Sequence, residues 1–203
     1  MKKKLEVVVL MSIIIVSVSC TSTSQKIDND MDIPPAIENI FSRKSVRSYE
    51  DKDIEKEKIA LLLQAAMAAP SGRDLRPWEF IVLNDRRILD SLSVKLPYAK
   101  MLNHARCAIV VCGDSVRSSY WYLDCSLAAG NILLAAESLG LGAVWTAAYP
   151  YRDRIQSIRT FVSMPGRVLP LCIIPVGTRF FAGRFRAPAC SFRAPSGGGR
   201  RCG

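Results

Sequence analysis

YWYLDCSLAAGNILLAAESLGLGAVWTAAY, residues 120–149, decides the layer architecture of the chain. Its first part, residues 120–139, is helix-forming in composition and apolar nearly all round, interrupted mainly by Asp124, Asn131 and Glu137. A helix apolar on every side has to be covered on every side, and in a chain of 203 residues that points to a second subunit. Gly140 and Gly142 are expected to cap the helix, and AVWTAA, residues 143–148, reads as a strand. The order of elements decides against a dinucleotide-binding glycine loop, which follows a strand and opens a helix; this GLG does the reverse.

Outward from that stretch, helices and strands alternate. Upstream, Pro34 and Pro35 open a helix through Phe41. Residues 55–69, EKEKIALLLQAAMAA, place Ile59, Leu62, Leu63 and Ala66 on one helical face before Pro70 stops the helix. WEFIVL at 78–83 is a strand closed by Asn84 and Asp85, and ARCAIVVC at 105–112 is another, ended by Gly113. Downstream come a short helix over 151–161 and a last strand, VLPLCIIPV, over 168–176. The interleaving gives an α/β or α+β layered domain over residues 33–177.

With 49% apolar and 23% charged residues the chain can bury a real core, which excludes collagen-like, wholly disordered and multi-pass membrane architectures. The net charge of +10 is uneven. Six arginines and no acid follow Gly177 (Arg179, Arg184, Arg186, Arg193, Arg200 and Arg201), leaving 22 basic against 18 acidic residues elsewhere. A globally basic nucleic-acid binder is therefore a poor reading. His104 is the one histidine, so a multi-His metal site cannot be built, and His104 is expected at the surface or a helix end. The seven cysteines form no CxxC pair, and Cys107, Cys112 and Cys172 lie in apolar runs, which reads as buried free thiols.

Both ends differ from the domain. MKKKLEVVVLMSIIIVSVSC, residues 1–20, has a basic start at Lys2, Lys3 and Lys4, then a mostly apolar stretch from Val7 to Val18, the pattern of an export signal. It resembles a bacterial lipoprotein signal, in which Cys20 would be acylated, although Ser17 stands where an aliphatic residue is usual. An uncleaved N-terminal anchor is the alternative, and either puts the domain at a membrane of the cell envelope. Residues 21–32 read as a polar linker, and residues 178–203, without either structural period, as a disordered Arg-rich tail. A basic tail for nucleic acid or membrane, or an altered end, are its other readings.

Two further segments carry chemistry. RKSVRSY, residues 43–49, gathers cations and a hydroxyl within a few residues, which suits a phosphate dianion; its bland reading is a solvated basic turn. APSGRDLRPWEFIVL, residues 69–83, runs from a helix end through a Ser-Gly turn into a strand. Such a loop exposes backbone groups able to meet the polar edge of a heteroaromatic ring, or it is an ordinary turn.

Together, in this order, RKSVRSY, PSGRDLRPWEF, LGLGAVW and LPLCIIPVG resemble the nitroreductase family of FMN-dependent oxidoreductases, from about Ile37 to Gly177. The resemblance implies an α+β sandwich with a mixed, mostly antiparallel sheet and an obligate homodimer with FMN at the interface. It implies that Arg43, Lys44, Ser45 and Arg47 hold the phosphate and ribityl chain. Pro70, Ser71, Gly72 and Asp74 would line the ring or reach it from the partner, Asp74 standing where many relatives carry Asn, and the backbone at Thr146 and Ala147 would face flavin N5. Reducing equivalents would pass from NADH or NADPH to a nitroaromatic, quinone or similar acceptor with no protein nucleophile or metal, in keeping with a chain that has one histidine. A membrane-tethered flavin- or ligand-binding protein without turnover is the alternative.

Overall fold

The computed structural model describes residues 32–179; the signal-like segment with Cys20, the linker up to Met31 and the tail from Phe180 lie outside the described residues. Helix α1 (Pro35–Ser42) starts on a proline, whose missing N–H would be unsatisfied in a first turn anyway. It buries no residue, and Ile37, Ile40 and Phe41 are exposed. Helix α2 (Lys56–Met67) buries Leu62 and Ala66, the centre of the expected apolar face. Strand β1 (Trp78–Leu83) coincides with WEFIVL, and β2 (Cys107–Asp114) starts two residues later than the apolar run suggests.

Between them lies helix α3 (Arg86–Lys95), which the sequence reading passes over. Its apolar content is modest, yet Asp85 accepts a hydrogen bond from the Arg87 N–H as an N-cap, and Leu89 and Leu92 are buried. A 3-10 turn (Lys100–Asn103) follows and ends at His104, which is exposed as expected. Helix α4 (Trp121–Ser138), strands β3 (Leu141–Ala143) and β4 (Thr146–Ala147), helix α5 (Arg152–Phe161) and strand β5 (Val168–Thr178) complete the described fold.

The strands form one sheet in the order β1-β2-β5-β3, with β4 also on β5, and every strand pair is antiparallel. The single strand expected over 143–148 is a pair of short pieces. Leu141 faces Thr178, Ala143 faces Val176 and Thr146 faces Ile173, one unbroken register, so β3 and β4 are one edge strand interrupted at Val144 and Trp145. Of the two expected caps only Gly140 acts as one, with φ +71 just beyond α4; Gly142 lies inside β3.

Alternation along β2 sorts the core into two layers. Ala108, Val110 and Cys112 pack with Leu89 and Leu92 of α3 and Ile158 of α5. Ile109 and Val111 pack with Leu62 of α2 and with Cys125, Ala128 and Ile132 of α4. Helices thus cover both faces of an antiparallel sheet, and its central strands read as continuous apolar runs rather than as alternating ones. Strand β5 is central yet holds Pro170 and Pro175. Its pairing with β2 shifts register beside Pro170, where a missing N–H is tolerated. Cys107, Cys112, Cys125 and Cys172 are free and buried. Desolvation raises the Cys107 thiol to about 11 and those of Cys112 and Cys125 to about 12, so they stay protonated and unreactive at neutral pH.

The three polar interruptions of α4 each meet a specific partner. Asp124 accepts from the Gly72 N–H at 3.0 Å, Asn131 Nδ2 donates to the Ala65 carbonyl at 2.9 Å, and Glu137 pairs with Arg179 at 2.8 Å. On the side turned from the sheet, Leu123 and Leu127 are exposed.

Candidate functional site

In residues 43–49 the apolar positions hold the segment and the polar ones face out. The Val46 N–H donates to the Ala143 carbonyl at 3.0 Å, and Ser45 forms a parallel bridge with Ala143, so the segment runs along the β3 edge. The buried Tyr49 hydroxyl donates to the carbonyls of Val46 at 2.8 Å and Pro175 at 3.3 Å. Burial pushes the Tyr49 hydroxyl far above its ordinary value, so it remains a donor. Two glycines make room: a Cβ on Gly142 would stand 2.6 Å from Val46 Cγ1, and one on Gly177 2.6 Å from the Tyr49 ring. Lys44, Ser45 and Arg47 are left exposed and Arg43 half-buried. Among the described residues neither Arg43 nor Arg47 enters an ion pair with a carboxylate.

Thr146 and Ala147 lie on the same edge, three and four residues beyond Ala143. Thr146 is buried, and its Oγ1 has no hydrogen-bond partner among the described residues. The Arg154 guanidinium donates to the Ala147 carbonyl at 3.2 Å and lies over the Tyr151 ring at 3.8 Å, which fixes β4 from the α5 side. Arg154 belongs to the surroundings of this edge, and only its proximity in sequence to 146–147 could have signalled it.

The loop with Pro70, Ser71, Gly72 and Asp74 sits elsewhere. Its 3-10 turn (Gly72–Asp74) lies against the start of α4, where Gly72 meets both Asp124 and the Tyr120 ring. Ser71 Oγ accepts from the Arg76 N–H at 3.0 Å, while Pro70 and Asp74 are exposed and Asp74 pairs with Arg76 at 2.7 Å. Arg73, Asp74 and Arg76 have φ of 56°, 54° and 46°, left-handed conformations that are strained for residues with a side chain.

Strand β2 sets the separation of the two sets. Its Cys107 end is opposite Val176, which pairs with Ala143, while Gly113 at the other end packs against Trp121 and Cys125 at the start of α4. Six residues of strand between them span about 20 Å. One chain therefore sets Arg43, Lys44, Ser45 and Arg47 beside Ala143 at one end of the sheet, carries Thr146 and Ala147 further along the same edge, level with Val110 and Val111 of β2, and holds Pro70, Ser71, Gly72 and Asp74 at the other end, apart from the cations.

The profile of the nitroreductase family matches residues 40–178. The chain belongs to the nitroreductase family. It is 45% identical over 154 residues to a Methanothermobacter thermautotrophicus protein named as an NADH dehydrogenase/NAD(P)H nitroreductase, covering 74% of this chain and 81% of that one. A Bacteroides thetaiotaomicron crystal structure under the same name is 61% identical with a TM-score of 0.73, covering 77% of this chain and 92% of the other. A Desulfovibrio desulfuricans nitroreductase solved in complex with FMN is 27% identical with a TM-score of 0.65, covering 81% and 99%. Within this nitroreductase, Val46, Tyr49, Gly142 and Gly177 seat the cation segment, a role that the motif reading does not give them. Glu137 and Arg179 tie the end of β5 to α4, although Arg179 belongs by composition to the tail.

Proposed function

We propose that this chain binds FMN non-covalently and passes reducing equivalents from NAD(P)H to a nitroaromatic, quinone or similar small acceptor. The observation that carries the reading is the edge just described: a run of cations facing out on the same edge as a buried Thr146 hydroxyl that has no partner among the described residues, in a chain of the nitroreductase family. The donor set fits the cofactor. Arg43, Lys44, Ser45 and Arg47 offer guanidinium, ammonium and hydroxyl donors to a phosphate dianion, and guanidinium can grip its oxygens with two parallel bonds. Thr146 and Ala147 offer a hydroxyl and backbone beside the ring. Bound FMN supplies the two-electron chemistry between NAD(P)H and acceptor. The chain's part is to bind, orient and exclude water.

The loop with Pro70, Ser71, Gly72 and Asp74, about 20 Å from the cations along the sheet, joins them at one site when it comes from a second copy of the chain. The exposed apolar residues of α1 and α4, Ile37, Ile40, Phe41, Leu123 and Leu127, support a homodimer that covers them. Arg47→Ala should weaken FMN binding by roughly 1.5–3 kcal/mol, the worth of a charged hydrogen bond, as read by fluorescence quenching of added FMN. Unchanged quenching by the variant would remove Arg47 from the site.

The reading extends to location: Cys20 is acylated and tethers the enzyme to the cell envelope. The basic start, the apolar stretch and the cysteine support it. Cys20→Ser should abolish incorporation of labelled fatty acid in a bacterial host. A wild-type chain that never takes up the label would contradict the tether.

A further inference from the structure

We infer that Asp124 is a positioning residue, fixing the Ser71–Arg76 loop in the conformation that it presents to the cofactor. This rests on the FMN site proposed above, as far as the cofactor is concerned. Three observations carry it. Asp124 is 4% exposed in a stretch of α4 otherwise filled by Trp121, Cys125, Ala128 and Ala129. A carboxylate in such surroundings is costly to desolvate, and only one of its oxygens is satisfied: Oδ1 accepts from the Gly72 N–H at 3.0 Å, while Oδ2 is buried with no partner among the described residues. The first turn of α4, with its positive dipole end, favours the charge but does not require it.

The loop that Asp124 holds is the most strained segment among the described residues. Arg73, Asp74 and Arg76 are all left-handed, and such conformations persist only where surrounding contacts determine them. From inside the protein the contact is Asp124 on Gly72; from within the loop the contacts are Ser71 Oγ on the Arg76 N–H and the exposed Asp74–Arg76 ion pair. Close contact of Gly72 with the Tyr120 ring, where an added Cβ would stand 3.2 Å from Cδ2, closes the third side. Loss of the Asp124 acceptor frees the Gly72 N–H and lets the strained residues relax. The exposed polar groups of the loop then no longer stand in one place to meet a ring.

The test compares wild type with Asp124→Ala and Asp124→Asn, first free of flavin and then with added FMN. Arg73 is exposed and followed by Asp74, so trypsin reads the loop there, whereas the bond from Arg76 to Pro77 is not a trypsin site. In the flavin-free protein Asp124→Ala should be cut there about tenfold faster, and its Kd for FMN should rise about tenfold, equal to ~1.4 kcal/mol. Asp124→Asn, whose amide oxygen still accepts from Gly72, should return both close to wild type. Should Asp124→Ala fail to fold, Asp124→Ser, whose hydroxyl is too short to reach Gly72, takes its place. A variant that melts earlier but keeps wild-type cleavage and FMN affinity would reduce Asp124 to packing and overturn the inference, as would failure of Asp124→Asn to restore the loop. A wild type that takes up no FMN, with the cleavage difference intact, contradicts the flavin site and leaves the anchor standing.

Discussion

Replacing Arg179 by alanine should lower the stability of the domain by about 3 kcal/mol, a large fraction of what a domain of this size has. Glu137 lies near the C-terminal end of α4, where the helix dipole is unfavourable to a carboxylate, and its side chain is only 9% exposed. Arg179, 22% exposed, meets it at 2.8 Å from the residue following β5 and forms a bridge with Tyr49. Removing the cation leaves a buried charge without compensation. Removing both with Glu137→Gln and Arg179→Met should recover most of the loss, because desolvation of the carboxylate is then relieved as well. Urea unfolding of the three proteins checks this; a loss below about 1 kcal/mol in the single variant would place the pair with ordinary surface bridges. The folded unit thus extends past Gly177, through Thr178 and Arg179, into what the composition reads as tail. A chain cut after Gly177 also loses Thr178, which faces Leu141 and accepts from the Glu50 N–H at 2.8 Å, so this cut should destabilise the domain.

Gly177→Ala should cost about 2 kcal/mol or more and weaken FMN binding at the same time. The new Cβ would stand 2.6–2.7 Å from three atoms of Tyr49, and the ring cannot swing aside without breaking the bonds of its hydroxyl to Val46 and Pro175. Since Tyr49 and Val46 seat the cation segment, strain there displaces Arg43, Lys44, Ser45 and Arg47 together. Gly166→Ala is the control, as nothing lies within 4 Å of its added Cβ. Urea unfolding and FMN titration measure the two effects; a variant matching the control in both would show that Tyr49 is free to move.

Where one face or both faces of an element are apolar, the sequence reveals it, as for α2, α4, β1 and β2. Helix α3 escapes because its buried residues, Leu89 and Leu92, are few and set among Arg, Asp and Ser; the Asp85 cap is its clearest local signal. The break at Val144 and Trp145 has no such signal, since both residues favour strands and the register continues through them. For the site, residue types betray the cations of 43–49, but the glycines that seat them act through tertiary contacts a hundred residues away. The tie from Asp124 to Gly72 crosses 52 positions. In the sequence it shows only as one of three polar interruptions of a largely apolar helix, a residue that needs an explanation before its partner is visible.

This nitroreductase is expected to hold FMN and to let NAD(P)H reduce it. The most direct measurement is the visible absorbance of the purified protein before and after NADH or NADPH is added under anaerobic conditions. A yellow protein is expected, whose flavin absorbance bleaches on addition of at least one of the two and returns when a quinone or nitroaromatic is supplied. A colourless protein that takes up no added FMN, or a flavin that stays oxidised with both nucleotides, would contradict it.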